Sequence, residues 1–90
     1  MAEITKNIAG REIHRLRLQR GMTQEAFAAA LQVQGFDISR NTLAKIESGI
    51  RCVSDIEIVV IAGVLGCPPS DLLVRNFREC LRLIRPTEKS

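Results

Sequence analysis

Apolar residues recur along this chain at intervals of three and four, the spacing of helices that bury one face. No stretch shows the sustained two-residue alternation of a half-buried strand. Gly21, Gly49 and Gly66 each follow a helix-compatible stretch, where a glycine in the left-handed conformation ends a helix well. The pattern therefore predicts an all-α protein built from short helices.

The starts of the second, third and fourth helices carry one common signal. Each has a capping Ser or Thr, preceded by an apolar residue that can pack against the fourth helical position. The caps are Thr23, Ser39 and Ser54, and the staple pairs are Met22–Phe27, Ile38–Leu43 and Val53–Ile58. The first helix is predicted over about residues 7–20, with Thr5 or Asn7 as its cap and Ala9, Ile13 and Leu16 facing inward.

The segment 32–37, between the second and third helices, is long enough to add about one turn to the second helix. In that arrangement Gly35 would end the helix and Phe36 would pack beneath it. On a helical wheel of the third helix, Leu43, Ile46 and Ile50 fall on the inner side.

The C-terminal segment predicts a last helix that begins near Ser70, after Pro68 and Pro69. Its apolar residues share one face, although a break near residues 75–76 fits the pattern as well. Ninety residues suffice for one core. We therefore expect a single domain (1–90), with a core module over 7–73 and a C-terminal helix and tail over 74–90.

Composition excludes several classes of function. No apolar run approaches the roughly 18 residues of a membrane span, and the N-terminus lacks a signal-peptide core, so we expect a cytoplasmic, nucleoid-associated protein. The spacing of Cys52, Cys67 and Cys80 fits neither a disulfide framework nor a zinc site, which favours reduced, partly buried cysteines over a redox role for Cys67 or Cys80. With one histidine, no phosphate loop and no paired carboxylates, the sequence indicates no enzyme, metal or cofactor.

Charge is distributed unevenly. Residues 6–51 hold eight Lys and Arg against four acidic residues, whereas in residues 52–90 the two signs balance. This asymmetry fits a polyanionic partner, and a solvated basic surface is the alternative. On the third helix, Arg40, Asn41 and Lys45 share the outer face, and these side-chain types donate to guanine and adenine in the major groove. His14, outside the core face of the first helix, is most simply a solvated side chain, with a phosphate contact or pH switch as the alternative.

Several segments together resemble the lambda-repressor-like helix-turn-helix family, also called the XRE or Cro type. They are residues 13–17 (IHRLR), 21–28 (GMTQEAFA), 38–49 (ISRNTLAKIESG), 65–66 and 71–73. The resemblance covers about two-thirds of the chain and implies a compact five-helix DNA-binding domain, with the helix-turn-helix formed by helices two and three. The chain departs from the family in the turn, which is tight there and six residues long here.

The resemblance also implies roles for individual residues. Arg40, Asn41 and Lys45 match base-contacting positions of the third helix, the recognition helix. Gln24, Thr42, Ser48 and Arg51 are similar to positions that contact the DNA backbone. Arg17 and Glu47 match a structural ion pair between the first and third helices.

Function follows from the resemblance as an expectation. It implies a transcriptional regulator, most simply a repressor, that binds a palindromic operator in double-stranded DNA as a homodimer. Phe77, Leu81 and Ile84 are the candidate dimer interface, unless the last helix only closes the monomer core. The alternative is an antitoxin-type or other protein-interaction module, in which this apolar stripe binds a partner protein.

Overall fold

Five α-helices and one 3₁₀ turn make up the described part of the chain, and no strand occurs there. The computed structural model describes residues 7–73 and 77–84, the side chains of residues 77, 79 and 83 excepted. The elements are α1 (Ala9–Gln19), α2 (Gln24–Val33), α3 (Arg40–Glu47), α4 (Asp55–Leu65), the 3₁₀ turn Pro69–Leu72 and α5 (Phe77–Ile84). The all-α prediction is confirmed.

The predicted helix starts are confirmed at α2, α3 and α4. The hydroxyls of Thr23, Ser39 and Ser54 accept hydrogen bonds from backbone N–H groups three residues later, at 3.0, 3.1 and 3.2 Å. At α4 the carboxylate of Glu57 also accepts from the backbone N–H of Ser54 at 3.0 Å, which completes the capping box. These contacts satisfy N–H groups that a helix cannot pair internally, so sequence neighbours alone fix where each helix begins.

The core is aliphatic apart from one phenylalanine. Its largest fully buried side chains are Ile13, Phe27, Leu31, Leu43, Ile46, Ile61 and Leu72. The short helix α3 packs against both α1 and α2, while α4 packs against α1, α2 and the 3₁₀ turn. One face of α3 is therefore covered on two sides, and the opposite face is left to solvent.

A close approach between α1 and α3 fixes the position of α3. A Cβ atom placed on Gly10 would overlap the carbonyl oxygen of Ile46, so only glycine fits at this contact. Asn7 reinforces it, because its Nδ2 donates to the carbonyl oxygens of Ile46 and Arg51 at 2.9 and 2.8 Å. The Asn7 Oδ1 accepts from the Gly10 N–H at 2.8 Å, so Asn7 supplies the cap at the start of α1; the alternative, Thr5, lies outside the described residues.

The segment between α2 and α3 has the predicted form. Helix α2 ends at Val33, Gly35 has a φ of +99°, and Phe36 packs partly buried against the core. The side chain of Gln32 closes the turn, because its Nε2 donates to the carbonyl oxygen of Ile38 at 2.6 Å. The extra residues thus lengthen α2 and form an ordered turn.

Two expectations about the helices were wrong in detail. Ile50 is 76% exposed, because α3 ends at Glu47 and Gly49 turns the chain with a φ of +86° before Ile50 is reached. No continuous helix begins near Ser70: a 3₁₀ turn over Pro69–Leu72 comes first, and α5 starts at Phe77. Residues 75 and 76, where the alternative places a break, lie outside the described residues.

The outer surface of α4 is apolar as well as its inner surface. Ile56 is 74% exposed and Val59 57% exposed, one turn apart. Towards the C-terminal end of α4, Val60 and Val64 border an open groove whose other wall is Val33 of α2. None of the helices in the described part of the chain has the length and hydropathy needed to cross a membrane.

Candidate nucleic-acid interface

The exposed face of α3 carries the three side chains predicted to contact bases. Arg40, Asn41 and Lys45 are all exposed, whereas Leu43 and Ile46 on the opposite face are fully buried. Exposed and buried residues fall on opposite faces because an α-helix has 3.6 residues per turn. The cap at Ser39 fixes where α3 begins and therefore which residues lie on each face. The face presents guanidinium, ammonium and amide groups, which are donors and acceptors suited to base edges.

Thr42 and Ser48, predicted to contact the DNA backbone, lie at the two ends of α3. The Thr42 hydroxyl is half-buried and accepts from the hydroxyl of Ser39 at 3.1 Å. Ser48 is exposed, and its hydroxyl donates to the carbonyl oxygen of Lys45 at 3.2 Å. Both hydroxyls thus have partners within the protein and retain acceptor capacity, and the Thr42 hydroxyl also keeps its own proton to donate.

Arg51, in the loop after α3, is paired within the protein. Its two terminal nitrogens donate to the two carboxylate oxygens of Glu57 at 3.2 and 3.1 Å. The hydrogen bonds from Arg51 lower the pKa of Glu57, and the same bonds raise the pKa of Arg51 above its ordinary value. A phosphate at this loop would therefore share the Arg51 guanidinium with Glu57.

The Arg17–Glu47 ion pair joins α1 to α3. Arg17 Nε donates to Glu47 Oε2 at 2.7 Å and Arg17 Nη2 donates to Glu47 Oε1 at 3.0 Å, while both side chains are over nine-tenths buried. Arg17 Nη1 also donates to the carbonyl oxygen of Met22 at 2.7 Å. Arg17 thus links the C-terminal end of α3 to α1 and to the loop before α2. Hydrogen bonds between charged groups at two points are strong, and they hold the two side chains in one orientation.

Glu47 has further donors besides Arg17. His14 Nδ1 of α1 lies 2.8 Å from Glu47 Oε1, and Gln24 Nε2 of α2 donates to the same oxygen at 3.0 Å. Burial raises the pKa of Glu47, but hydrogen bonds from Arg17, His14 and Gln24 outweigh it, so the pKa is lowered overall. Three helices therefore converge on one ionised carboxylate, the Glu47 cluster: Glu47, Arg17, His14 and Gln24.

The proton of His14 is fixed by this contact. Nδ1 must carry a hydrogen to bond the Glu47 carboxylate, so the Arg17 Nη2 atom 3.2 Å away faces a second donor and makes no hydrogen bond there. His14 is nevertheless about half exposed. The expectation of a merely solvated histidine was incomplete. The available signal was its position three residues before Arg17, which places both side chains on one helix face.

Gln24, predicted to contact a phosphate, lies at the first position of α2 and is half-buried. It borders a shallow open depression together with Arg17, Glu25 and Arg40. Gln24 and the first residue of the exposed α3 face therefore belong to one continuous surface. The N-terminus of α2 also presents unpaired N–H groups and the positive end of the helix dipole to this surface.

The predicted C-terminal interface is described in part. Leu81 is 50% exposed and Ile84 is 67% exposed on α5, whereas the Phe77 side chain lies outside the described residues. Among the cysteines, Cys67 and Cys80 are half-buried, while Cys52 is exposed, contrary to the expectation of partial burial for all three. Burial raises the pKa of the Cys67 thiol, which disfavours the reactive thiolate.

Comparison with known proteins matches the chain to a protein family. The model of a protein family described as helix-turn-helix matches residues 13–72, a stretch that contains α1 from Ile13, all of α2, α3 and α4, and the 3₁₀ turn. No curated protein and no solved structure matches the chain. The matched range covers two-thirds of the sequence and includes every residue of the Glu47 cluster.

Proposed function

The chain belongs to the lambda-repressor-like helix-turn-helix family of DNA-binding regulators, and on that basis we propose that it is a sequence-specific repressor. In this proposal α3 lies in the major groove and contacts base edges through Arg40, Asn41 and Lys45. Gln24, Thr42, Ser48 and Arg51 contact the sugar-phosphate backbone and set the register. The observation that carries the proposal is the exposed polar face of α3 on a helix whose other face is fully buried.

The ion pair supports the proposal because base contacts require a rigid recognition helix. A helix of eight residues, about two turns, has little stability of its own, so its orientation must come from packing and from side-chain bonds to the rest of the domain. Arg17 and Glu47 supply such bonds at the C-terminal end of α3, and the contacts of Asn7 to Ile46 add to them.

We propose further that the protein acts as a homodimer on a palindromic operator. One domain of this size offers a small contact area, and two copies on half-sites about 34 Å apart would double it. The exposed apolar side chains of Leu81 and Ile84 on α5 support this helix as the interface. We take residues 7–73 as the DNA-binding core and 74–90 as the dimerisation segment of one domain, acting in the cytoplasm on the nucleoid.

A protein-interaction module is the second candidate, and the apolar outer surface of α4 favours it. Ile56 and Val59 are exposed there, on a helix that packs against α1, α2 and the 3₁₀ turn. In an antitoxin-type protein such a surface, or α5, would bind a different protein. Light scattering of the purified chain separates the two candidates, because a self-associating repressor has twice the monomer mass without any added partner.

The direct test of DNA binding is a fluorescence-anisotropy titration of a labelled duplex at several salt concentrations. Counterion release predicts that the logarithm of the binding constant falls linearly with the logarithm of salt concentration. Arg51→Gln, at the positively charged residue of the backbone-contacting set, should make that slope shallower by about 0.9, the value for one phosphate-neutralising charge. Arg15→Gln is the matched control, since Arg15 is exposed on α1 and pairs with Glu12. A slope of zero for the wild type would contradict the proposal.

A further inference from the structure

We propose that Glu47 and His14 are positioning residues that orient the Gln24 amide for a DNA phosphate, and that protonation of His14 strengthens DNA binding. The inference rests on the proposed function. It differs from the ion-pair role of Glu47, because it assigns a task to the carboxylate oxygen that faces Gln24 and His14. It also gives a role to the one histidine of the chain.

The orientation of the Gln24 amide follows from what a carboxylate accepts. Glu47 Oε1 lies 3.0 Å from Gln24 Nε2 and would repel the amide oxygen, so the NH₂ group must face it. A side-chain NH₂ has two hydrogens, and among the described residues only Glu47 takes one. The second hydrogen remains for a phosphate beside the start of α2, where backbone N–H groups also favour an anion.

His14 reaches Gln24 through the shared oxygen. Its Nδ1 and the Gln24 Nε2 each lie no more than 3.0 Å from Glu47 Oε1, which places the two nitrogens within about 6 Å of each other. Positive charge on the imidazole would therefore lie beside the proposed phosphate. Because His14 is about half exposed, its ring can exchange a proton with solvent without any change in the fold.

The charged groups around His14 lie on three helices. Glu47 of α3 favours the protonated ring at 2.8 Å, while Arg17 on the same helix as His14 opposes it at 3.2 Å. Glu25 of α2 and Arg40 of α3 border the adjoining depression, one of each sign. Arginine stays charged at all relevant pH values, whereas histidine is the side-chain type that can gain or lose a charge near neutral pH.

The test is DNA affinity as a function of pH, at constant ionic strength, for four proteins: wild type, His14→Gln, His14→Ala and Arg15→Gln. Wild-type affinity should rise by about twofold to fivefold between pH 8 and pH 5.5, the range for one partly exposed ion pair. His14→Gln should match the wild type at pH 8, because its amide still donates to Glu47, and should lose the pH response. Arg15→Gln removes a nearby positive charge that pairs with Glu12, and this variant should keep the pH response.

A double-mutant cycle tests whether His14 acts through Gln24. At pH 8, His14→Ala should weaken binding by about threefold in the wild-type background and leave affinity unchanged in Gln24→Ala, since the positioned group is then absent. Equal losses in both backgrounds would overturn the positioning role. Urea unfolding of each variant at both pH values identifies any loss of affinity caused by unfolding, and only variants that remain folded enter the cycle.

Failure of this inference and failure of the proposed function give different results. A wild type that binds duplex DNA equally at both pH values overturns the effect of His14 protonation and leaves the proposed function standing. A wild type that binds no duplex DNA overturns both. In that case NMR of the free protein still reports on the cluster: the Gln24 side-chain amide signals should move between pH 8 and pH 5.5, and should stay fixed in His14→Gln.

Discussion

Replacing Gly10 by alanine should destabilise the protein, although alanine is the better helix former. The residue lies in the first turn of α1, where its missing side chain leaves room for the carbonyl oxygen of Ile46 on α3. An added methyl group would overlap that oxygen and would also come within 3.0 Å of the Asn7 amide nitrogen. Because backbone cannot rotate out of the way as a side chain can, α1 and α3 must move apart.

The expected magnitude comes from two opposing terms. Overpacking of a well-packed contact costs about 1–3 kcal/mol, and separation of the helices also weakens a hydrogen bond from Asn7 that contributes about 1 kcal/mol. The gain in helix propensity offsets at most about 1 kcal/mol, and less in a first turn. The net loss is about 1–3 kcal/mol, which corresponds to a fall in Tm of roughly 5–15 °C for a domain of this size.

Gly63→Ala is the matched control. Gly63 is exposed within α4, and a Cβ atom there would meet nothing within 4 Å. The same chemical change should therefore stabilise the protein by about 0.5–1 kcal/mol. Thermal and urea unfolding, followed by circular dichroism, measure both variants. Equal stabilisation by the two substitutions would refute the argument that a close approach fixes α3 against α1.

Three other predictions concern the interface and its support. Glu47→Gln should lower the free energy of unfolding by about 3–5 kcal/mol at pH 7, because it leaves the buried guanidinium of Arg17 without its carboxylate. The pKa of Glu47 is lower in the folded state than in the unfolded chain. The stabilisation from its carboxylate is therefore complete above about pH 4.5 and is lost as the pH falls through the lower folded value. In Glu47→Gln, the free energy of unfolding measured in urea should not show this loss at acid pH. Arg40→Ala should weaken binding to the best operator by about 1–3 kcal/mol and to random DNA much less, as measured by anisotropy. Gln24→Ala should weaken binding to all sequences alike, because a phosphate contact carries no sequence information.

Each of these has a result that would contradict it. Unfolding of Glu47→Gln at the wild-type urea midpoint would show that the pair contributes nothing net. Equal losses on operator and random DNA would remove Arg40 from the base-contacting set. A changed sequence preference in Gln24→Ala would contradict the assignment of Gln24 to the backbone.

Local signals in the sequence were sufficient to predict the helix starts and the turn. Thr23, Ser39 and Ser54 cap their helices through atoms only three residues away, so no tertiary contact is needed to predict them. Gly35 likewise ends α2 because its own backbone adopts a positive φ. Features of this kind depend on neighbours in the chain.

Contacts between distant residues could be predicted only where the family resemblance supplied them. The Arg17–Glu47 pair, thirty positions apart, came from the resemblance. The contact of His14 with the same carboxylate did not, since it depends on how α1 is rotated against α3. The Asn7 bonds to Ile46 and Arg51 were missed for the same reason, although Asn7 had been identified as a capping candidate.

The exposure of Ile50 shows the limit of periodicity. A helical wheel places it beside Leu43 and Ile46, but the wheel applies only while the helix continues, and α3 ends at Glu47. The apolar outer face of α4 shows a related limit. A helix that is apolar on all sides is usually buried on all sides, whereas the fold of this chain buries only one side of α4.

The most direct test of the central claim is selection of bound sites from a pool of random duplex DNA. The purified chain should enrich an inverted repeat whose half-site centres lie about one helical turn apart, roughly 34 Å. A variant that replaces Arg40, Asn41 and Lys45 by alanine together, all on the exposed face of α3, should fold and enrich nothing. A pool that stays random with the wild-type protein, or the same motif selected by the triple variant, would contradict the assignment of α3 as the recognition helix.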